Sequence, residues 1–509
     1  MGVAHPPGEP LWLAFARIAQ LIPVGDIAFR ATLLSALCLA LCALPLLALL
    51  RVSPVAEAAG GARPPSILGS LLILAALLGF SAQLQAGRAE VYAPTALLLL
   101  SALMVAGRGG LRSGGMLGLL LGLGVGLHPL LCAAAVPALV LAALLRPSSE
   151  EGARVARRPA GHIILGIGLG GLVGLGVMAW LPLRALAAPA SAWGVPDNLS
   201  RFLDVVLARN FASNFGGDSA SLWDNVGVVA SVWCGELVPC LLVLLLLFFR
   251  PGGSGGASGL GRRRVWAWAA ITGLWLVGNA GTILPQNKVF STNPDVLGYL
   301  LVGMLGTLPL VGIALSSLAR LAPLLVSVVL LFQVAGGLQS CSTGNFLART
   351  FASGQSAGLP PGAILMTSGN DTAFTWGYLQ RVERRRADLQ MVHRVLLGHP
   401  QEALRLGGPE GLLALGLEWT PQLRDGPSGL LGHFERPFFI ERRESESAAV
   451  TAGQLRRFGL VASALEEEGP WLSKVRSSVL AELGQAEFVT DAEAGLVRAY
   501  YLSLWGGSP

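Results

Sequence analysis

Apolar residues run along the first two thirds of this chain in blocks too long for a soluble core. Ten such blocks lie at 31–50, 66–82, 93–107, 115–128, 129–146, 161–183, 225–249, 265–285, 295–317 and 322–339. A helix needs about 20 consecutive apolar residues to cross a bilayer, so the blocks predict a polytopic helical membrane body over residues 1–340. Ahead of the first block, Leu11 to Ile22 places apolar residues at helical spacing. Residues 1–30 therefore read as an outer loop followed by an amphipathic helix.

From about residue 341 the pattern turns mixed and charged, with Arg384 to Arg386, Glu441 to Glu446 and Glu466 to Glu468. Residues 341–509 are expected to form a soluble α/β or α-rich domain, within ordinary domain size. After the Pro360-Pro361 turn, AILM predicts a short buried strand. GNDTAFTWGYLQRVERR predicts a helix with a capped start, and ADLQMVHRVLL a second strand.

Charge orients the blocks. Arg146, Arg154, Arg157 and Arg158 mark one cytoplasmic loop, and Arg250 with Arg262 to Arg264 marks another, joined by the Gly/Ser-rich connector 251–261. Counting outward places Asp197, Asp204, Asp218 and Asp224 in an outer loop, and the C-terminal domain outside. If 115–146 were one helix, His5 and Glu90 would fall on the cytoplasmic side, against the Arg108/Arg112 signal. A split at His128-Pro129 with an outer apex restores consistency. Irregular backbone at that depth requires a protein-lined or wet cavity, so a polar outer cavity is expected, with His128 marking the break.

Composition narrows the classes. Of 509 residues 53% are hydrophobic and 13% charged, with a net charge of +6. The arginines lie in short loops rather than in a basic stripe interleaved with aromatics, which excludes a nucleic-acid partner. Lysine occurs only at Lys288 and Lys474 against an abundance of Ala, Gly, Leu and Arg, pointing to a GC-rich bacterial genome and hence to the bacterial inner membrane. Six cysteines form no disulfide framework; Cys38 and Cys42 are spaced as small core residues of a helix, and no second Cys or His pair completes a zinc pattern. No basic stretch precedes the first block, so a cleavable signal peptide is not expected.

Four stretches, taken in order, carry a resemblance. They are GVAHPPGEPLWLAFARIAQLIPVGDIAFRATLLSAL, then AEVYAP at 89–94, LPLRALAAPASAWGVPDNLSRFLDVV at 181–206, and LPPGAILMTSGNDTAFTWGYLQRVERRRADLQMV at 359–392. Together they resemble domain-of-unknown-function family 2723, protein O-mannosyltransferase-like membrane glycosyltransferases of the GT-C superfamily. The resemblance implies a GT-C-like body of about ten membrane segments. It also implies transfer of a sugar, mannose or another hexose, from a polyprenyl phosphate carrier to a protein or glycan acceptor on the outer face. Such a transfer needs a carboxylate base and groups that stabilise the departing phosphate, sometimes with a divalent metal ion, whose ligands the sequence does not name.

Carried over onto this sequence, the resemblance implies a catalytic role for Glu90, an ionisable residue at a membrane boundary. It places His5, Arg88, Tyr92, Arg184, Trp193, Asp197, Asn370 and Asp371 in substrate binding. Arg184 would grip the carrier phosphate, and Trp193 and Asp197 would shape the acceptor side. Plainer roles compete: an Arg88–Glu90 interfacial pair, an interface tryptophan, and N-capping by Asn370-Asp371. The family carries an acidic residue upstream of His-Pro-Pro, after a further membrane helix. Neither occurs in this sequence, which sets the expectation of a late-placed start codon, with an inactive homologue as the second reading. Glu9 stands where the family has an aromatic, a weak candidate for the missing carboxylate. The readings left in competition are a flippase for lipid-linked sugar and a non-catalytic assembly subunit.

Overall fold

The structure is a computed structural model. It describes residues 7–52, 66–106, 111–145, 160–187, 195–209, 219–248, 259–287, 289–291, 293–316, 321–340, 359–367 and 370–393, residues 212, 215 and 216, and strands 438–441, 456–458 and 461–463. Two compact units divide the chain, Met1–Cys341 and Ser342–Pro509.

The first unit is helical, and a helix occupies every one of the expected apolar blocks. In chain order the helices are α1 (Pro10–Ala19), α2 (Ile27–Leu41), α3 (Ala43–Val52), α4 (Ser66–Leu77), α5 (Phe80–Ala86), α6 (Tyr92–Ala106), α7 (Leu111–Val125) and α8 (Pro129–Leu145). They continue as α9 (Ala160–Leu175), α10 (Trp180–Leu186) after a 3-10 turn, α11 (Leu199–Val206), α12 (Ser219–Phe248), α13 (Gly259–Gly281), α14 (Pro294–Ser316) and α15 (Leu321–Ser340). Among the described residues three spans pass as long, apolar membrane crossings: Ile27–Leu50, Gly161–Leu186 and Pro294–Ile313. A fourth, α4 with α5, is bent by 65° at its break. Other blocks form shorter apolar helices, α6, α7 and α8 among them. The protein is a multi-pass membrane protein.

Burial orders the bundle. The Pro294–Ile313 window is 83% buried and forms its centre, whereas Gly161–Leu186 is 22% buried and turns apolar side chains such as Leu172 and Val173 outward. Between helices in lipid there is little hydrophobic drive, so close backbone approach and interhelical hydrogen bonds decide packing. Both devices are present. Gly114, Gly118 and Gly122 of α7 meet Gly166, Gly170 and Gly174 of α9 backbone to backbone; a Cβ on Gly122 would lie 2.6 Å from the Gly171 carbonyl oxygen. On α13, the Trp275 indole N–H donates to the Val302 carbonyl (3.0 Å) and the Asn279 amide to that of Tyr299 (2.8 Å), fastening α13 to α14.

The split at His128-Pro129 is present. Gly126, Leu127 and His128 form a tight turn between α7 and α8, with the His128 N–H donating to Gly124 at 2.8 Å. Pro129 opens α8 at the position where a missing N–H costs nothing. Cys38 and Cys42 are buried free thiols, as their spacing implied.

In the second unit, β1 (Ile364–Thr367), α16 (Asn370–Arg381) and β2 (Gln390–His393) follow the expected strand, helix and strand. With β3 (Phe438–Glu441), β4 (Arg456–Phe458) and β5 (Val461–Ser463) they make a sheet of order β2-β1-β3-β5-β4. Strand β1 is parallel to both β2 and β3, and the β3–β5 and β5–β4 pairs are antiparallel. Leu359, Leu365, Trp376 and Leu389 pack as its core.

Candidate functional site

The loop between α5 and α6 is tied down from two helices, α14 and α2. The Gln85 amide donates to the Pro294 carbonyl at the start of α14 (2.6 Å). On α2, the Ser35 hydroxyl donates to the Glu90 carbonyl (3.1 Å) and lies 3.3 Å from the Glu90 N–H. Asn293 receives the Asp295 N–H on its side-chain oxygen (2.9 Å), so α14 starts with a local cap that fixes Asp295. The result is a charge cluster from distant parts of the chain. Arg88 donates to Asp295 at 3.1 Å and lies 3.7 Å from the Glu90 carboxylate. Glu90 keeps 37% of its side chain exposed and Asp295 53%, so the cluster opens to one side.

Beneath it lies an aromatic floor. His128 stands edge-on to Tyr299 with ring centroids 4.9 Å apart; Tyr92 lies 5.7 Å from His128 and 5.3 Å from Tyr299. The Leu131 N–H reaches the His128 Nδ1 at 3.4 Å, so this imidazole also closes the first turn of α8. Gly298 lies so close under the Tyr92 ring that a Cβ there would contact it at 2.5 Å.

Helix α1 brings the remaining piece. Leu11 and Trp12 pack with Val91 and Leu127, the chain neighbours of Glu90 and His128, and the Leu11 N–H donates to Gly126 at 3.0 Å. The turn before α1 is tight: Gly8 has φ +92°, and a Cβ there would meet Leu181 of α10 at 2.9 Å and Val205 of α11 at 3.2 Å. Glu9 follows, with φ 42°. Burial, then the carboxylates of Glu90 and Asp295, push its carboxyl up to about 8. Burial also raises Glu90, against the opposing pull of Arg88.

Arg88, Glu90 and Tyr92 of the sequence-derived residues thus meet in one place. Arg184 lies on α10, one turn beyond the Leu181 that covers Gly8. Asp197 is held by Arg201, whose Nη1 is 2.8 Å from both carboxylate oxygens, and no contact among the described residues brings it to Arg88. Asn370 opens α16 in the other unit, where a helix start accounts for it and Asp371. His5 and Trp193 fall outside the described residues.

Sequence reasoning missed Asp295 and Tyr299, and gave Glu9 little weight. Asn293-Pro294-Asp295 is a recognisable helix start, but nothing local shows that it faces Arg88, 207 positions away. Among the described residues no group of three or more His, Cys, Asp or Glu side chains could hold a metal ion, and Arg88 lies against both Glu90 and Asp295.

Comparison with known proteins adds the following. A family model, Protein O-mannosyl-transferase TMEM260 N-terminal domain, matches residues 1–152. No curated protein matches the chain. Among solved structures, ArnT from Cupriavidus metallidurans bound to undecaprenyl phosphate is similar over 92% of this chain and 89% of that one, at 14% identity and a TM-score of 0.51. The apo state of the same protein gives 0.49. The chain shares the GT-C membrane fold of ArnT.

Proposed function

We propose that the protein is a membrane glycosyltransferase that moves a sugar, mannose or another hexose, from a polyprenyl phosphate carrier to a protein or glycan hydroxyl. The single observation behind this reading is the ArnT-like fold with a carboxylate–arginine cluster at one end of its bundle. The solved relative holds undecaprenyl phosphate, and the family model over residues 1–152 describes a protein O-mannosyltransferase. In this reading the cluster and the C-terminal unit face the outside of a bacterial inner membrane, and Arg184 steadies the departing phosphate. Arg88 holds Glu90 and Asp295 in place, and Tyr92 with His128 and Tyr299 forms a floor suited to a sugar face.

The broken span α4–α5 supports a second reading. The N–H of Ser81, at the break, donates to the Glu236 carboxylate of α12 (2.8 Å), and broken helices with buried polar groups are common where transporters hold cargo. A flippase would move labelled lipid-linked sugar across vesicles without transferring it, and an assembly subunit would do neither. Membranes holding the full chain should move label from mannosyl undecaprenyl phosphate into membrane protein or glycan. Glu90→Gln should lower that transfer at least tenfold at unchanged protein level. Movement of lipid-linked label without transfer overturns the enzyme reading, and transfer unchanged in Glu90→Gln removes Glu90 from the site.

A further inference from the structure

We infer that the interior cavity between α4, α12, α14 and α15 is a proton-binding site, in which Glu236 holds a proton, donates it to Gln333 and so fastens the broken span α4–α5. The inference stands apart from the glycosyltransferase reading and uses none of the Arg88 cluster.

The cavity has a volume of about 20 Å³, room for one water. Ala76, Leu301, Met304 and Leu305 make its wall apolar, and Glu236 with Gln333 supply its polar atoms. Both polar residues bear on the 65° break between α4 and α5, inside a membrane crossing. The Ser81 N–H, just past the break, donates to Glu236 Oε1 at 2.8 Å. A Cβ on Gly79, in the break itself, would collide with Gln333 Oε1 and lie 3.2 Å from Glu236 Oε2. The Gln333 Nε2 donates to the Glu236 main-chain carbonyl at 3.0 Å. That bond fixes the amide, because turning it over would set its oxygen against a second acceptor.

Holding the Ser81 N–H needs only one carboxylate oxygen. The other, Oε2, shares the face of Gly79 with Gln333 Oε1, and among the described residues no donor stands between these two acceptors. An ionised Glu236 would leave them opposed. It would also lack a counter-charge. Helices α4, α5 and α15 carry no titratable side chain, α14 carries Asp295 and Tyr299 near its start, and α12 carries Asp224, Cys234 and Cys240 besides Glu236. No Lys, Arg or His occurs on these five helices. A bare carboxylate is among the costliest groups to keep inside a membrane. Nor does a metal cation fit, since hard cations take about six or more oxygen ligands and this apolar wall supplies far fewer. A proton on Oε2 answers each point. The neutral acid keeps the Ser81 N–H on Oε1 and carries no charge into the bundle. Its O–H donates to Gln333 Oε1, directly or through the one water that the cavity admits.

The test is infrared difference spectroscopy on the full chain, wild type minus Glu236→Gln, in a detergent without ester groups. At neutral pH the wild type should show one extra carbonyl stretch of a hydrogen-bonded carboxylic acid, shifted in D₂O, and the variant should lose it. Gln333→Met keeps Glu236 but removes its acceptor, and should move the same band to higher frequency. Thermal unfolding gives a second readout. Glu236→Gln offers the same pair of bonds with no proton to lose, so it should melt with the wild type at neutral pH. Glu236 is neutral in the folded bundle and ionised in the unfolded chain, so rising pH favours the form that has released the proton. At alkaline pH the wild type should therefore melt below Glu236→Gln. Absence of the band in the wild type, or a band unmoved in Gln333→Met, overturns the inference. So does a band that disappears when sodium replaces choline in the buffer, which assigns the cavity to a metal cation. Melting temperatures that stay equal across pH show that the proton fastens nothing, and overturn it as well.

Discussion

Gly118→Leu should abolish the folded protein, whereas Gly168→Leu, on the opposing helix, should leave it intact. Gly118 lies in the seam between α7 and α9, where an added Cβ would collide with the Ile167 carbonyl and come within 2.8 Å of the Gly171 N. Both are backbone atoms, so no side-chain rotation relieves the clash and the helices must separate. Separation also lifts Gly114 and Gly122 from their partners, because all three glycines share one face at i, i+4 spacing. Overpacking a core costs typically about 1–3 kcal/mol where side chains can give way, and more is expected against fixed backbone. In lipid no hydrophobic gain between helices compensates. Gly168 meets nothing within 4 Å and faces outward, so leucine there contacts lipid alone. Size-exclusion profiles of detergent-extracted protein read both outcomes. A monodisperse peak for Gly118→Leu equal to that of Gly168→Leu would show that the seam does not hold the bundle.

Much of this architecture was legible because it is local. Each apolar block carries its own statement about solvent, and the chain folds helices at every one of them. His128-Pro129 was readable as a break because proline opens helices and charge parity demanded a turn there. The site was legible only in part. Arg88, Glu90 and Tyr92 lie within five positions of each other on the loop into α6, so one stretch of sequence exposed them together. Asp295 and Tyr299 join them through packing of α14 against α5 and α6, and no periodicity reports which helices become neighbours. Glu9 shows a different limit. A carboxylate before Pro10 looks like a helix-start cap, and only the structure shows its left-handed backbone and the absence of a capping bond. Arg184 and Asp197 show the reverse case: neighbours in the 181–206 stretch, they end apart, Arg184 on α10 and Asp197 just ahead of α11, and Asp197 spends its charge on Arg201.

Arg88→Met should reduce sugar transfer at least a hundredfold at unchanged protein level. Arg88 is the cation shared by Glu90 and Asp295, and methionine keeps its length while removing the charge. The effect on stability should be modest, about 1 kcal/mol, because both carboxylates are more than a third exposed and water screens them. The effect on protonation should be larger. Arg88 lowers the Glu90 carboxyl against the burial that raises it, so removing Arg88 lets Glu90 rise further toward the neutral form. The pH at which Glu90 ionises should therefore move upward as the maximal rate falls. Arg88→Lys keeps the charge but loses the fork that spans two carboxylates, and should recover only part of the rate. Arg88→Met combined with Asp295→Asn should lose less than the product of the single losses, since the two residues act through one contact. Rates for wild type, the three single variants and the double variant across pH 6 to 10 decide the matter. A multiplicative double variant, or a pH profile that stays in place in Arg88→Met, would show that Arg88, Glu90 and Asp295 do not act as one unit.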